Sequence, residues 1–300
     1  ARPDLLVRHA PLLHQYLTPH DAGGKLNLEQ SQLTGSIANI YHCVLPYMTP
    51  LPATLVKYLE TDLPKLVRNS PSMHLIVASV RCFCTLVRSV CRSQPRATKE
   101  KLARLQGMVE EQERILNGAQ DKFKPRALLI QGLVCRHAGF TVTAEGGSEV
   151  KAVPDARVED VLERCITQFA RSKNAVFRRA GYLCLGHLFV RSPPLALGED
   201  AARCLSQGLA PEEEDAVREA ALLMLNDFVT AGEVTEGAAD AEEAKNGMCV
   251  RNTVMQRSLE AVLGCVYASS DRVAAEALKL VAGIYDRGQV HPKLCIPDLV

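Results

Sequence analysis

The sequence predicts an all-α protein, an α-solenoid of stacked helical hairpins. Composition, a shared pattern and a regular interval predict it. Apolar residues fill 47% of the 300 positions, aromatics 5%, and tryptophan is absent. Leu, Ala and Val dominate, which suits helices packed on helices better than a sheet sandwich. "VFRRAGYLCLGH" from Val176, "VREAALLMLNDF" from Val217 and "VAAEALKLVAGI" from Val273 share one pattern. Offsets 4, 7, 8 and 11 hold Ala180, Leu183, Cys184 and His187 in the first. They hold Ala221, Met224, Leu225 and Phe228 in the second, and Ala277, Leu280, Val281 and Ile284 in the third. These offsets fall on one helical stripe, with alanine where a neighbour comes close. The valines are 41 and 56 residues apart, and the excess of 15 is the length of "EVTEGAADAEEAKNG", residues 233–247. Without that acidic insert, read as a loop, the period is near 40 with two helices per unit. That is a HEAT or armadillo-type array.

In chain order, candidate helices span 2–17, 25–45, 52–69, 71–92, 97–117 and 124–139, punctuated by prolines at 50, 52, 71, 95 and 125. Residues 1–142 thus read as irregular HEAT-like repeats, 143–154 ("TAEGGSEVKAVP") as a loop and 155–300 as regular HEAT repeats. No useful alternating β run is evident. The repeat partners are "DARVEDVLERCITQFAR", "GEDAARCLSQGL" and "RNTVMQRSLEAVLGCVYAS". Pro211 with "EEED" starts the second repeat helix, and "SSD" caps the third. Gly288 stops that helix in a left-handed conformation, and Pro292 suits the first turn of a following one. "GQVHPKLCIPDLV" therefore reads as a seam between repeats, and both chain ends read as parts of a longer array.

No apolar run of the roughly 18–20 residues needed for a membrane span is evident, nor a secretory signal. The eleven cysteines include no CxxC pair. Cys82, Cys84, Cys184, Cys204 and Cys265 sit within apolar helical pattern, as buried thiols of a reducing compartment do. Phosphate-loop, HExxH and GxSxG motifs are absent. His9, His14 and His20 would face different sides of a helix, and His187 sits on an apolar stripe. His291 and Cys295 are four apart without a third catalytic partner. The reading assigns no catalytic residue, metal or cofactor.

Charge says more. The net charge is +1, yet residues 1–198 carry 26 Lys+Arg against 16 Asp+Glu, and residues 199–300 carry 9 against 18. Arg81, Arg88 and Arg92, at offsets 0, 7 and 11, fall within about 40° on a helical wheel. Val80, Phe83, Leu86, Val87 and Val90 lie opposite. Arg96, Lys99, Lys101 and Arg104 follow, with Glu100 the one acid between 81 and 104. Arg171, Lys173, Arg178 and Arg179 form a second cluster with no acid close in sequence. Both are candidate sites for sequence-independent contact with the double-stranded DNA backbone, weighed against solvated arginine faces or pairing with the acidic C-terminal third. Sparse aromatics disfavour single-strand stacking.

Several stretches, in order, resemble the C-terminal HEAT-repeat region of the cohesin loader family, Nipped-B or sister chromatid cohesion protein 2. They are "LLVRHAPLLHQYL" (5–17), "RALLIQGLVCRHAGF" (126–140), "AGYLCLGHLFVRSPPL" (180–195) and residues 255–300. The last holds a seam like the family's at Gly288, His291, Pro292, Cys295 and Pro297. Between them, similarity is mostly helical pattern, and "MTPLPATL" and the insert do not map. The resemblance implies a hook-shaped, non-catalytic α-solenoid in the nucleus, on chromatin. It implies partners in the kleisin and ATPase heads of cohesin and in DNA, and stimulation of the heads' ATPase in cohesin loading and sister chromatid cohesion. The alternatives are a HEAT scaffold of another pathway, such as a transport receptor, phosphatase scaffold or adaptor, and a helical enzyme using a Cys–His pair.

Overall fold

A computed structural model describes residue 9 and residues 12–17, 27–231 and 241–288. The fold is the expected all-α solenoid class, helices paired as hairpins, and the chain divides into two compact units. One is drawn from residues 1–118 and 133–155, the other from 119–132 and 156–300.

In the first unit α1 (Leu28–Val44), α2 (Ala53–Asn69), α3 (Met73–Ser93) and α4 (Thr98–Asn117) match the sequence expectation closely. Asn27 opens α1 by accepting from the Gln30 N–H at 2.8 Å, while Gln30 accepts from the Asn27 N–H at 3.0 Å. This reciprocal box satisfies two otherwise unpaired donors. Helix α3 is the centre of the unit, touching α1, α2 and α4. Its Val80, Phe83, Leu86, Val87 and Val90 are at most 1% exposed. Contrary to the sequence expectation, α3 is long and apolar enough to cross a membrane by length and composition. Two-thirds of its apolar window is buried by its neighbours, so this is the apolarity of a core helix.

The segment expected to be a loop is in part a β-hairpin, and this corrects the expectation of no strand. Strands β1 (Thr141–Thr143) and β2 (Glu149–Lys151) pair antiparallel, Val142 opposite Val150, through a turn in which Gly146 and Gly147 take positive φ. Val142 is buried and β1 packs on α3. Three-residue strands are too short for an alternation to show in sequence.

The second unit contains the first part of α5 (Lys124–His137), then three helix pairs. Helix α6 (Asp155–Arg164) runs into a π-helical turn, Cys165–Ala170, and pairs through it with α7 (Ala175–Arg191). Helix α8 (Glu199–Gly208) pairs with α9 (Asp215–Thr230), and α10 (Ala241–Val266) with α11 (Asp271–Asp286). Helices α7, α9 and α11 stack in a row. Val217, Ala221, Met224, Leu225 and Phe228 are buried, as are Val273, Ala277, Leu280, Val281 and Ile284. In α7 the stripe departs from expectation: Val176 is 62% exposed, and Leu183 and His187 are half-buried. Val176 occupies the first turn, where Asn174 Oδ1 caps its N–H at 2.9 Å, and the buried stripe begins at Ala180.

Stacking is close where side chains vanish. A Cβ on Gly186 of α7 would lie 2.9 Å from Met224 Cγ and 3.3 Å from Met224 Cα of α9. Three further expectations change. Residues 241–247 of the presumed loop insert are the opening turns of α10, while 232–240 lie outside the described residues. The "EEED" stretch enters a helix only at Asp215. Ser270 holds the N-cap position of α11 without a side-chain capping bond. Gly288 has φ +63°, the left-handed stop expected of it; His291, Pro292, Cys295 and Pro297 lie outside the described residues.

Candidate nucleic-acid interface

Helix α3 presents Arg81, Arg88 and Arg92 on the side away from its buried stripe: Arg81 is half-buried, Arg88 and Arg92 are exposed. At 1.5 Å per residue the three span about 16 Å of helix. None of them pairs with a carboxylate among the described residues. The Arg88 guanidinium carbon lies 5.8 Å from the centroid of the Phe140 ring, just before β1, which steadies a cation without neutralising it. Partial desolvation and then the charge of Arg92 lower the Arg88 pKa.

A second titratable group feels the same positive field. His42 of α1 sits half-buried beside α3, its Nδ1 2.6 Å from Thr85 Oγ1. The Thr85 hydroxyl donates its proton to the Arg81 carbonyl at 3.0 Å, so Nδ1–H donates to Thr85. Burial, then the Arg81 charge, lower the His42 pKa to about 4. Neutral at ordinary pH, His42 adds no charge to the strip.

The continuation of this cluster is largely neutralised. Lys101 is buried against Glu60 at 2.8 Å, Arg104 reaches Glu60 at 3.4 Å and Glu100 at 3.0 Å, and Arg96 meets Glu145 of the hairpin turn at 3.4 Å. Only the exposed Lys99 makes no ion pair among the described residues.

The second cluster divides. Arg178 donates through Nε and Nη2 to Glu213 at 2.8–3.2 Å, and through Nη2 to Glu214 at 3.2 Å. Its Nη1 donates to the carbonyls of Ser172 and Lys173 at 2.8 and 2.9 Å. Hydrogen bonding to Glu213 pushes its pKa up. Every donor direction is in use, and the residue ties the α6–α7 turn to the start of the next repeat. Arg171 pairs with Asp200 at 3.0 Å. Lys173 and Arg179 are exposed and make no ion pair among the described residues. For Arg171 and Arg178 the structure thus gives the alternative weighed from sequence, pairing with the acidic C-terminal third; the individual acids were not legible because they lie 29 and 35 residues downstream, somewhat under one repeat period.

His14 of the histidine set binds Asp62 at 2.7 Å and stacks on Tyr58. Cys82, Cys84, Cys184, Cys204 and Cys265 are buried free thiols. Burial pushes Cys82 and Cys84 far above the ordinary thiol range, the reverse of an activated nucleophile. No metal-binding group of three or more His, Cys, Asp or Glu occurs among the described residues.

No protein-family model matches the chain. Curated relatives do, over its whole length. It is 23% identical to Nipped-B-like protein B of Danio rerio, 22% to Nipped-B-like protein of Homo sapiens and 24% to Nipped-B protein of Drosophila melanogaster. These matches cover 100% of this chain but 11%, 11% and 15% of the respective relatives. The relatives are of the family that the sequence resembles. Among solved structures, a designed armadillo repeat protein aligns over 92% of this chain and 99% of its own, at 10% identity and TM-score 0.34. An engineered protein aligns over 92% and 96%, at 12% identity and TM-score 0.36.

Proposed function

We propose that this chain is a non-catalytic HEAT-repeat segment of a cohesin loader, and that it contacts double-stranded DNA through the Arg81–Arg88–Arg92 face of α3. One observation carries the DNA reading: three co-facial guanidiniums without carboxylate partners among the described residues. Such a strip gains by neutralising phosphates and reads no base edges, so binding is independent of sequence. Lys99, Lys173 and Arg179 are further phosphate contacts. Arg171 and Arg178, held by Asp200 and Glu213, belong to this reading only where DNA displaces those carboxylates, and we assign them to the scaffold. The loader reading rests on similarity that runs over the whole of this chain but over only 11–15% of the length of the Nipped-B relatives. It carries with it engagement of the kleisin and ATPase heads of cohesin, stimulation of their ATPase, and work on chromatin in the nucleus.

The test is affinity for a random-sequence duplex against salt. We expect steep weakening with salt, and a log–log slope shallower by up to about 0.9 per phosphate lost when Arg81, Arg88 and Arg92 are reversed to Glu. An unchanged slope removes the α3 face from the interface. Retrieval of cohesin subunits by the chain supports the loader reading, and failure to retrieve them counts against it.

A further inference from the structure

A groove of about 430 Å³ lies between α6 and α8. Its floor is apolar: Leu162 of α6, Ile166 of the π-helical turn, and Leu195 of the short 3-10 turn before α8. Its rim is acidic, with Glu159 and Glu163 one turn apart on α6 and Glu199 and Asp200 opening α8. Asp200 is engaged by Arg171 at 3.0 Å and Arg203 at 3.4 Å. Glu159, Glu163 and Glu199 are exposed and make no ion pair among the described residues.

The fold accounts for some of these charges and not for others. Glu199 sits in the first turn of α8, where the helix dipole favours an anion. Glu159 and Glu163 lie beyond the first turn of α6, where the dipole offers an anion no stabilisation, and like charges four residues apart repel. That repulsion opposes folding, and neither carboxylate makes an ion pair among the described residues that would relieve it. The π-helical turn meanwhile brings Ile166 and Thr167 to the same groove. Unbalanced carboxylates above an apolar floor are complementary to a partner offering cations beside aliphatic side chains. The volume lies within the range of sites that seat ligand groups.

We propose that the α6–α8 groove docks a cationic amphipathic segment of a partner protein. Its Lys or Arg side chains meet Glu159, Glu163 and Glu199, and its aliphatic side chains rest on Leu162, Ile166 and Leu195. The spacing of Glu159 and Glu163, about 6 Å along the helix, matches basic residues three or four apart in a helical segment. This groove uses no residue of the α3 arginine strip, so it stands or falls apart from the DNA and loader readings.

The experiment titrates the 300-residue chain into two fluorescein-labelled 14-residue peptides. One carries Lys and Leu at helical spacing; the other has every Leu replaced by Ser. We expect 1:1 saturable binding of the first, weakened by salt, and at least tenfold weaker binding of the second. Glu159→Lys with Glu163→Lys should weaken the first peptide tenfold or more, and the milder Glu159→Gln with Glu163→Gln should weaken it severalfold. Glu260→Lys, at an exposed acid elsewhere, should change it less than twofold. Peptide should slow amide exchange in α6 and α8 of the unmodified chain, a readout independent of any variant. Absence of saturable binding, equal affinity for the two peptides, indifference to changes at Glu159 and Glu163, or an equal loss from Glu260→Lys overturns the proposal. So does full competition by spermidine, which would make the groove a polyamine site.

Discussion

His42 shows how a single side chain records its surroundings. Half-buried between α1 and α3 and facing Arg81, its imidazole ionises near pH 4 in the folded chain rather than near 6.5. The unfolded chain therefore binds the proton more readily between those values. Because the folded pKa is depressed, the contribution to stability is whole above pH 6.5 and is lost as pH falls toward 4. We expect the denaturant midpoint to decline over that window and His42→Gln to flatten the decline, as followed by circular dichroism at fixed pH values. Equal declines in both proteins would show that His42 does not set the slope. The Arg178 guanidinium teaches the complementary lesson about reading sequence. Its cationic character was plain, but its Glu213 partner is 35 residues away and becomes adjacent only when repeats stack. The α3 arginines have no carboxylate partner among the described residues, and the helical wheel predicted that their face turns from the core.

At the scale of elements, helix positions were legible because apolar period, prolines and caps agreed. The hairpin was not, since three-residue strands carry no periodic signal, and the π-helical turn was not, since its irregular bonding leaves the apolar stripe intact. The loop insert was misjudged in part because an acidic, alanine-rich stretch is also good material for a helix start. Glycine positions separate two roles that sequence cannot. Gly186 lets α7 and α9 approach, and a side chain there meets the Met224 backbone. Gly186→Val should destabilise by about 1–3 kcal/mol through overpacking. Gly107, exposed in the middle of α4, has nothing within 4 Å of a Cβ. Gly107→Ala should stabilise by about 0.5–1 kcal/mol, the helix-propensity gain alone. Thermal melts of the two variants check both signs, and a stabilised Gly186→Val would break the close-approach account.

Across the whole molecule the candidate function was legible as surface charge and ordered resemblance, and not as chemistry, because the chain carries its distinctive groups on faces rather than in a cleft. Net charge near zero concealed this: among the described residues, a basic strip without carboxylate partners in one unit coexists in the other with a groove at which Glu159, Glu163 and Glu199 make no ion pair. Ten cysteines are described, and only Cys43 and Cys249 are exposed; the other eight are buried, distributed over both units. Native protein should therefore consume about two equivalents of a thiol-reactive probe quickly, Cys295 apart, and the rest only as helices part. The chain thus carries its own clock. The pace at which each shut sulfur takes up a mass tag reports how often that stretch of the stack opens, with no label introduced by design.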